Sequence, residues 1–283
     1  MEIKTLKPKQ FPKLLQEIPS PPKKLYILGE LPDENYTFLA IIGSRKFTNY
    51  GKEACEKIIS GLRGYKFIIV SGLAIGIDSI AHCIAIENNL LTISVPGSGL
   101  DFSVLHPHSN KRLAEKIVES GGCLLSEFEP KMPAGLHTFP IRNRIIAGIA
   151  HGVLVIEAAE RSGTLITANF ALEFNRDVFA VPGSIFNENS KGTNQLIKAG
   201  ATPVTSSEDI LDAFDIPFEK QNLKIDFQLS PLEEKIIEAL SEPMTKDDLI
   251  RKLNMTATEI NSVLALMQIN GFIKESGGEI YRV

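Results

Sequence analysis

The feature that most constrains the fold is a pattern that recurs between residue 38 and about residue 205: a short apolar segment, a corner rich in glycine or serine, then a stretch with helical periodicity. This pattern is typical of a parallel β-sheet with crossover helices. The apolar segments are rich in Ile, Val and Leu without alternation, as expected of strands buried on both faces. The pattern predicts strands at residues 38–43, 67–71, 90–95, 123–126, 153–157 and 178–181, and helices at residues 51–62, 77–88, 110–120, 143–150, 164–174 and 194–199.

The two ends of the chain differ from this sheet domain, which we place at residues 36–214. Residues 1–35 hold six Lys before residue 25 and five Pro before residue 23, and they predict an N-terminal arm packed on the sheet domain. Residues 215–227 are typical of a linker. In residues 228–283, three Ser/Thr-x-x-Glu/Asp signals predict three short helices, and a β-hairpin follows around the glycines at 277 and 278. Three helices followed by a hairpin indicate a small winged-helix domain.

The composition is that of a globular protein without a general basic coat. The chain has 283 residues, of which 43% are apolar and 23% charged, and its net charge is −4. Contact with nucleic acid would therefore depend on where basic side chains lie, not on their number. The apolar runs are much shorter than the roughly 20 residues of a transmembrane helix, and no secretory signal begins the chain. We expect a cytoplasmic protein with no membrane partner.

Several motifs of common chemistries are missing from the sequence. It contains no GxGxxG dinucleotide fingerprint, no GxxxxGK[ST] phosphate loop, no GxSxG nucleophile elbow and no HExxH zinc motif. The five His and three Cys have no spacing typical of a metal site. Cys55, Cys83 and Cys123 are interpreted as reduced, buried thiols. We expect no cofactor and no metal.

Glycine- and serine-rich corners follow five of the predicted strands, at residues 43–45, 71–78, 96–99, 162–164 and 182–184. Ligands of open α/β sheets bind at the carboxyl ends of the strands, where helix N-termini present free N–H groups to anions. Any one corner can be explained as a tight turn. Five corners at one edge of a sheet favour a phosphate-binding surface.

The segment at residues 139–148, Phe-Pro-Ile-Arg-Asn-Arg-Ile-Ile-Ala-Gly, places two arginines and an amide at the predicted start of an apolar helix. Arginine is suited to bidentate contacts with phosphate. The alternative for Arg142 and Arg144 is a salt bridge with a neighbouring glutamate, Glu127, Glu157 or Glu160.

In these motifs the sequence resembles the DprA/Smf family. The similarity runs from about residue 11 to residue 201 and is carried by residues 43–51, 71–82, 97–101, 125–127, 139–148, 162–168 and 178–183. The carboxyl-terminal winged helix also resembles a domain that many members carry. The resemblance implies an α/β fold with an extended Rossmann-like, doubly wound, mostly parallel sheet.

The resemblance further implies a mediator of recombination and not an enzyme. Such a protein binds and protects single-stranded DNA, loads the recombinase RecA during natural transformation, and forms a homodimer near residues 194–201. Arg45 would be the main phosphate contact, and Lys131 lies in a segment where the family has further DNA contacts. The complete set of candidate phosphate-binding residues is Gly43, Ser44, Arg45, Ser71, Gly72, Gly97, Lys131, Arg142, Asn143, Arg144, Ser162 and Gly163.

The sequence departs from the family at His108, where members commonly have a basic residue. A neutral imidazole would weaken a phosphate contact there at neutral pH. Bases could stack on Phe47, Tyr50, Phe128 or Phe139, although each is also a candidate for the core. The predicted recognition helix at residues 256–270 has no Lys or Arg, which favours protein docking over reading of duplex DNA.

Two alternatives remain open from the sequence. The first is a nucleotide phosphoribohydrolase-like enzyme on a related Rossmann-like fold, for which Asp78, Glu127 or Glu157 would be the acid or base. Those enzymes have a carboxylate soon after a Gly-Thr corner, whereas here the next one after Thr164 is Glu173. The second is a regulatory interaction protein that does not bind DNA.

Overall fold

The computed structural model describes residues 2–217, 230–240, 243–253, 255–269, 272–276 and 279–282. The chain divides into two compact units, Met1–Phe218 and Glu219–Val283. Most of the predicted linker at 215–227, and the hairpin glycines at 277 and 278, lie outside the described residues. In the ranges that are described, no helix is both long and apolar enough to cross a membrane.

The first unit is built on a nine-stranded sheet. Its strands are β1 (Lys4–Leu6), β2 (Leu25–Gly29), β3 (Thr37–Ile42), β4 (Phe67–Ser71), β5 (Leu91–Ser94), β6 (Cys123–Ser126), β7 (Gly152–Val155), β8 (Asp177–Ala180) and β9 (Thr202–Pro203). Its α-helices are α1 (Lys13–Gln16), α2 (Asn49–Gly61), α3 (Ile77–Glu87), α4 (Lys111–Glu119), α5 (Thr138–Ile149), α6 (Gly163–Glu173), α7 (Lys191–Lys198) and α8 (Ser207–Ala213).

The strand order is β1-β2-β6-β5-β4-β3-β7-β8-β9. The chain therefore builds outward from β3 to β6 on one side and then returns to add β7, β8 and β9 on the other. All strands from β3 to β9 run parallel to their neighbours among themselves. This confirms the predicted doubly wound, mostly parallel sheet, and it places the topological switch point between β3 and β7.

The central strand β3 divides the core into two layers. Phe38, Ala40 and Ile42 pack into one apolar cluster with residues of α5 and α6. Leu39 and Ile41 point to the opposite face and pack with residues of α2 and α3. Because both faces are covered by helices, the sheet meets solvent mainly at its strand ends, where the corners lie.

The N-terminal segment is part of the sheet itself, which the sequence pattern did not indicate. β2 pairs antiparallel with β6, and β1 pairs antiparallel with β2. Leu25, Tyr26, Ile27 and Leu28 are all buried. The prolines before this run interrupt any sequence periodicity, and antiparallel strands need no crossover helix between them that the sequence could reveal.

The cysteines differ in their exposure. Cys55 and Cys123 are buried as free thiols, as predicted, and burial raises the pKa of each well above its usual range. The prediction was wrong for Cys83, which is exposed. It lies on α3 between the buried His82 and Ile84, so its side chain points away from the core.

The second unit contains the predicted three helices and hairpin. Its elements are α9 (Pro231–Ala239), β10 (Met244–Thr245), α10 (Lys246–Leu253), α11 (Ala257–Ile269), β11 (Ile273–Ser276) and β12 (Glu279–Arg282). Two of the predicted helix-start signals form capping bonds, with Ser230 Oγ accepting from Glu233 N at 3.4 Å and Thr245 Oγ1 from Asp248 N at 3.2 Å. Its core includes Ile260, Leu264 and Met267 of α11.

Candidate functional site

A cavity of about 560 Å³ opens at the switch point, beyond the carboxyl ends of β3 and β7. Its walls come from the loop after β3, from the corner that begins α6, and from the first turns of α5 and α6. The residues that carry its chemistry are Gly43, Ser44, Arg45, Lys46, Asp78, Arg142, Asn143, Arg161, Ser162, Gly163, Thr164 and Asn189. Two of the five corners identified in the sequence, at residues 43–45 and 162–164, thus meet in one site.

The cavity is strongly cationic. Arg45, Lys46 and Arg161 line it and are exposed to solvent, and the buried Arg142 lies behind them. Asp78 is the only acidic residue among the described residues that line it. A chain with a net charge of −4 therefore concentrates positive charge where ligands of this sheet architecture bind.

The aromatic ring of Phe139 packs against one of these cations, Arg45. The guanidinium carbon of Arg45 lies 5.2 Å from the centroid of the Phe139 ring. The same ring lies 5.9 Å from the His106 ring. Burial, together with the charges of Arg45 and Arg142, lowers the pKa of His106. Phe139 thus offers an aromatic surface beside the cations of the cavity.

The N-terminus of α6 opens into the cavity. Ser162 is its N-cap, and its hydroxyl accepts a hydrogen bond from Thr164 N at 3.2 Å. A side chain at Gly163 would meet no atom within 4 Å, so the backbone there is open to a ligand. Thr164 Oγ1 donates to the Gly43 carbonyl at 3.2 Å and joins the two corners. The first turn of α6 holds no acidic residue, which leaves its positive dipole end available to an anion.

The neighbouring helix α2 shows the opposite arrangement. The buried carboxylate of Glu157 accepts hydrogen bonds from Thr48 N at 2.9 Å and Thr48 Oγ1 at 2.5 Å. Thr48 is the N-cap of α2. The positive dipole end of α2 is therefore compensated by a carboxylate of the protein, whereas the dipole end of α6 stays open to a ligand in the cavity.

Arg142 binds the protein's own backbone. Its side chain is 4% exposed, and Nη1 donates to the carbonyls of Gly72 and Val95, which follow β4 and β5. Asp78 Oδ2 accepts from Gly72 N at 3.1 Å. Burial raises the pKa of Asp78, while the Arg142 charge acts to lower it. Burial likewise lowers the Arg142 pKa to about 10, so the guanidinium stays charged at neutral pH. Arg142 therefore links the backbone after β4 to the backbone after β5 on the buried side of the cavity.

Five of the predicted site residues do not line the cavity: Ser71, Gly72, Gly97, Lys131 and Arg144. Ser71 is buried, and its hydroxyl donates to the Ile41 carbonyl at 2.6 Å. Gly97 makes room for Phe139, since a Cβ at this position would lie 2.6 Å from that ring. Arg144 forms a salt bridge with Glu127, one of the alternatives that the sequence left open.

The remaining predicted residues do come together in the cavity: Gly43, Ser44, Arg45, Arg142, Asn143, Ser162 and Gly163. Sequence reasoning missed Lys46, Arg161 and Asn189. Lys46 follows Arg45 directly and Arg161 directly precedes the Ser-Gly-Thr corner, so their positions were available as a signal. Asn189 comes from a distant loop, and its Nδ2 donates to the Lys46 carbonyl at 2.6 Å. Nothing in the sequence pattern indicated it.

Comparison with known families identifies the chain. The family of DNA recombination-mediator protein A matches residues 2–215, and the DprA winged helix domain matches residues 225–279. The chain belongs to the DprA/Smf family. It is 46% identical to DNA processing protein DprA of Streptococcus pneumoniae over 206 residues, which cover 72% of this chain and 71% of that protein. It is also 46% identical to Protein Smf of Escherichia coli over 191 residues, or 68% of this chain, but it spans only half of that relative.

Solved structures of DprA proteins have the same fold. The X-ray structure of DprA from Streptococcus pneumoniae superposes with a TM-score of 0.70 at 40% identity, covering 77% of this chain and 76% of that one. DprA from Helicobacter pylori superposes with a TM-score of 0.66 at 29% identity, covering 75% of this chain and 95% of that one. The latter structure describes the single-stranded DNA binding mode of the Helicobacter protein. The DprA/Smf resemblance seen in the sequence motifs is thereby confirmed.

Proposed function

We propose that this DprA/Smf protein is a recombination mediator that binds single-stranded DNA, protects it, and loads RecA onto it during natural transformation. The observation that carries the proposal is the cationic cavity at the switch point. There the exposed Arg45, Lys46 and Arg161 surround the open start of α6. Family membership supports the wider role, because the relative from Streptococcus pneumoniae is a DNA processing protein.

The cavity is suited to a phosphodiester chain. Arginine binds phosphate oxygens in a bidentate manner, and free amides at a helix start bind them through N–H groups. Arg45 would hold one phosphate, and the backbone at Ser162 and Gly163 would approach another. Neither kind of contact reads the base sequence, so binding should tolerate different sequences and weaken steeply with salt.

The proposed activity is binding without catalysis. The carboxylates that the enzyme alternative would need all have partners inside the protein: Asp78 with Gly72 N, Glu127 with Arg144, and Glu157 with Thr48. Groups held in this way are poorly placed to transfer protons to a substrate. This favours the mediator over a phosphoribohydrolase.

We further propose RecA and a second copy of the chain as protein partners, and a cytoplasmic location. Their support is family membership, and the resemblance assigns the homodimer surface to the region of α7. For the winged-helix unit we propose protein docking, because α11 contains no Lys or Arg that could contact a DNA groove. Detectable duplex binding by the protein at physiological salt would argue against this role.

The test of DNA binding is a fluorescence-anisotropy titration of labelled oligo-dT and a matched duplex at two salt concentrations. We expect wild type to prefer the single strand, and Arg45→Ala to weaken binding about tenfold and reduce the salt slope by about 0.7. Lys66→Ala is the control, because Lys66 is exposed and precedes β4 at the opposite edge of the sheet. If wild type binds no single strand at low salt, the proposal fails and the cavity would instead fit a small nucleotide.

If the DNA-binding test succeeds, two further assays address the mediator role. Bound single strand should resist nuclease digestion, and the protein should speed assembly of RecA on single strands. Arg45→Ala should lose both effects together. Protection or RecA assembly that survives this substitution unchanged would separate those roles from the cavity.

A further inference from the structure

Leu136 is placed in an unusual way for a large apolar residue. It lies on the loop between β6 and α5 and is 92% exposed, yet it lines the same cavity as Arg45 and Arg161. Ile166, in the first turn of α6, also lines the cavity and is 39% exposed. Single exposed apolar side chains are common on protein surfaces. Two of them beside a cluster of cations form a mixed surface that a purely phosphate-binding site does not need.

The chemistry of the two parts of this surface is complementary to a nucleotide unit. Arg45, Lys46 and Arg161 supply positive charge for the phosphate. Leu136 and Ile166 supply apolar surface, on which the face of an unpaired base would be shielded from water. In a duplex the base faces are stacked on one another and are not available for this contact. A sugar–phosphate chain without bases has no base faces to make this contact.

We propose that Leu136 and Ile166 form a base-contacting wall, so that this site selects a base-bearing single strand over other polyanions. The inference rests on the proposed function and adds to it the part of the ligand that gives selectivity. Leu136 is the decisive residue, because its near-complete exposure means that it contributes nothing to the core. Its removal should change ligand binding without changing stability.

The experiment compares two labelled oligomers of equal length and charge, oligo-dT and an abasic sugar–phosphate chain. Binding is measured for wild type, Leu136→Ala, Ile166→Ala and Arg45→Ala. Leu172→Ala is the matched control, since Leu172 is 58% exposed on α6 and does not line the cavity. We expect Leu136→Ala to weaken oligo-dT binding about three- to tenfold, to leave abasic binding unchanged, and to keep the salt slope of wild type.

The outcomes separate this inference from the function on which it rests. If wild type binds both oligomers equally, or if Leu136→Ala binds oligo-dT as wild type does, the wall is disproved while DNA binding stands. An equal loss on both oligomers also overturns it, because the effect would then not involve bases. If wild type binds neither oligomer, the proposed function and the wall fail together. Arg45→Ala should weaken both oligomers, and urea unfolding should show unchanged stability for Leu136→Ala.

Discussion

The guanidinium of Arg45 lies over the aromatic ring of Phe139, with 5.2 Å between the guanidinium carbon and the ring centroid. Arg45 is exposed on the loop after β3, whereas Phe139 is held in the first turn of α5 above Gly97. A cation in this position is attracted by the negative face of the ring. The ring therefore restricts Arg45 before any ligand arrives, which reduces the entropy lost on binding.

The substitution Phe139→Leu tests this pairing. A cation–π contact at an exposed site contributes about 0.5–1 kcal/mol, so we expect single-strand affinity to fall about two- to fivefold. Phe139→Tyr should retain affinity. Measured in the Arg45→Ala background, the cost of Phe139→Leu should shrink, since the partner is already gone. An equal cost in both backgrounds would show that Phe139 acts independently of Arg45.

The buried position of Arg142 predicts a loss of stability when it is replaced. In Arg142→Met, the carbonyls of Gly72 and Val95 lose their donor and Asp78 loses the charge that compensates it. A buried acceptor left without its donor costs about 1–3 kcal/mol, so urea denaturation should report a free energy of unfolding that is lower by that amount for each carbonyl. Arg144→Met on the same helix should cost only about 1 kcal/mol, because its pair with Glu127 is partly exposed. A stable Arg142→Met protein with impaired DNA binding would instead make Arg142 a ligand contact.

The sequence did not distinguish Arg142, which is buried, from Arg144, which forms a partly exposed salt bridge. The sequence predicted that the helix begins at residue 143, at the start of the apolar stretch. The structure begins α5 at Thr138, since proline is tolerated within the first helical turn. Arg142 consequently lies a full turn inside the helix, on its buried side. The parallel strands and the corners at their carboxyl ends could be predicted, because they follow from apolar runs and from glycine- and serine-rich segments. Side-chain burial depends on the packing of α5, which no spacing reveals.

The buried His82 predicts that acid destabilises the protein. Its Nδ1 lies 2.7 Å from Thr92 Oγ1, and burial together with the Arg142 charge lowers its pKa to about 3. In the unfolded chain the imidazole titrates near its usual value of about 6.5, so between these values the unfolded state binds the extra proton. The contribution of the neutral His82 to stability is therefore complete above pH 6.5. It falls by about 1.4 kcal/mol per pH unit as the pH drops from 6.5 toward the folded pKa of about 3.

The measurement for His82 is urea unfolding of wild type and His82→Gln at pH 7 and pH 5. Over this interval the histidine accounts for a loss of about 2 kcal/mol in wild type. His82→Gln should lose that much less between the two pH values, whatever its stability at pH 7. Identical losses in the two proteins would mean that His82 does not stay neutral in the folded state.

Two glycines of the cavity should respond in opposite ways to the same added methyl group. In Gly43→Ala the Cβ would lie 2.7 Å from Cγ1 of the buried Ile77, so we expect lower stability. In Gly163→Ala the Cβ meets no protein atom within 4 Å, and the stability should be unchanged or slightly higher. If a phosphate approaches the start of α6, however, the methyl stands in its path, and single-strand affinity should fall several-fold at full stability. Anisotropy titration and urea unfolding of both variants decide the matter: a Gly163→Ala protein with wild-type affinity would place the phosphates on Arg45 and its neighbours alone, away from the helix amides.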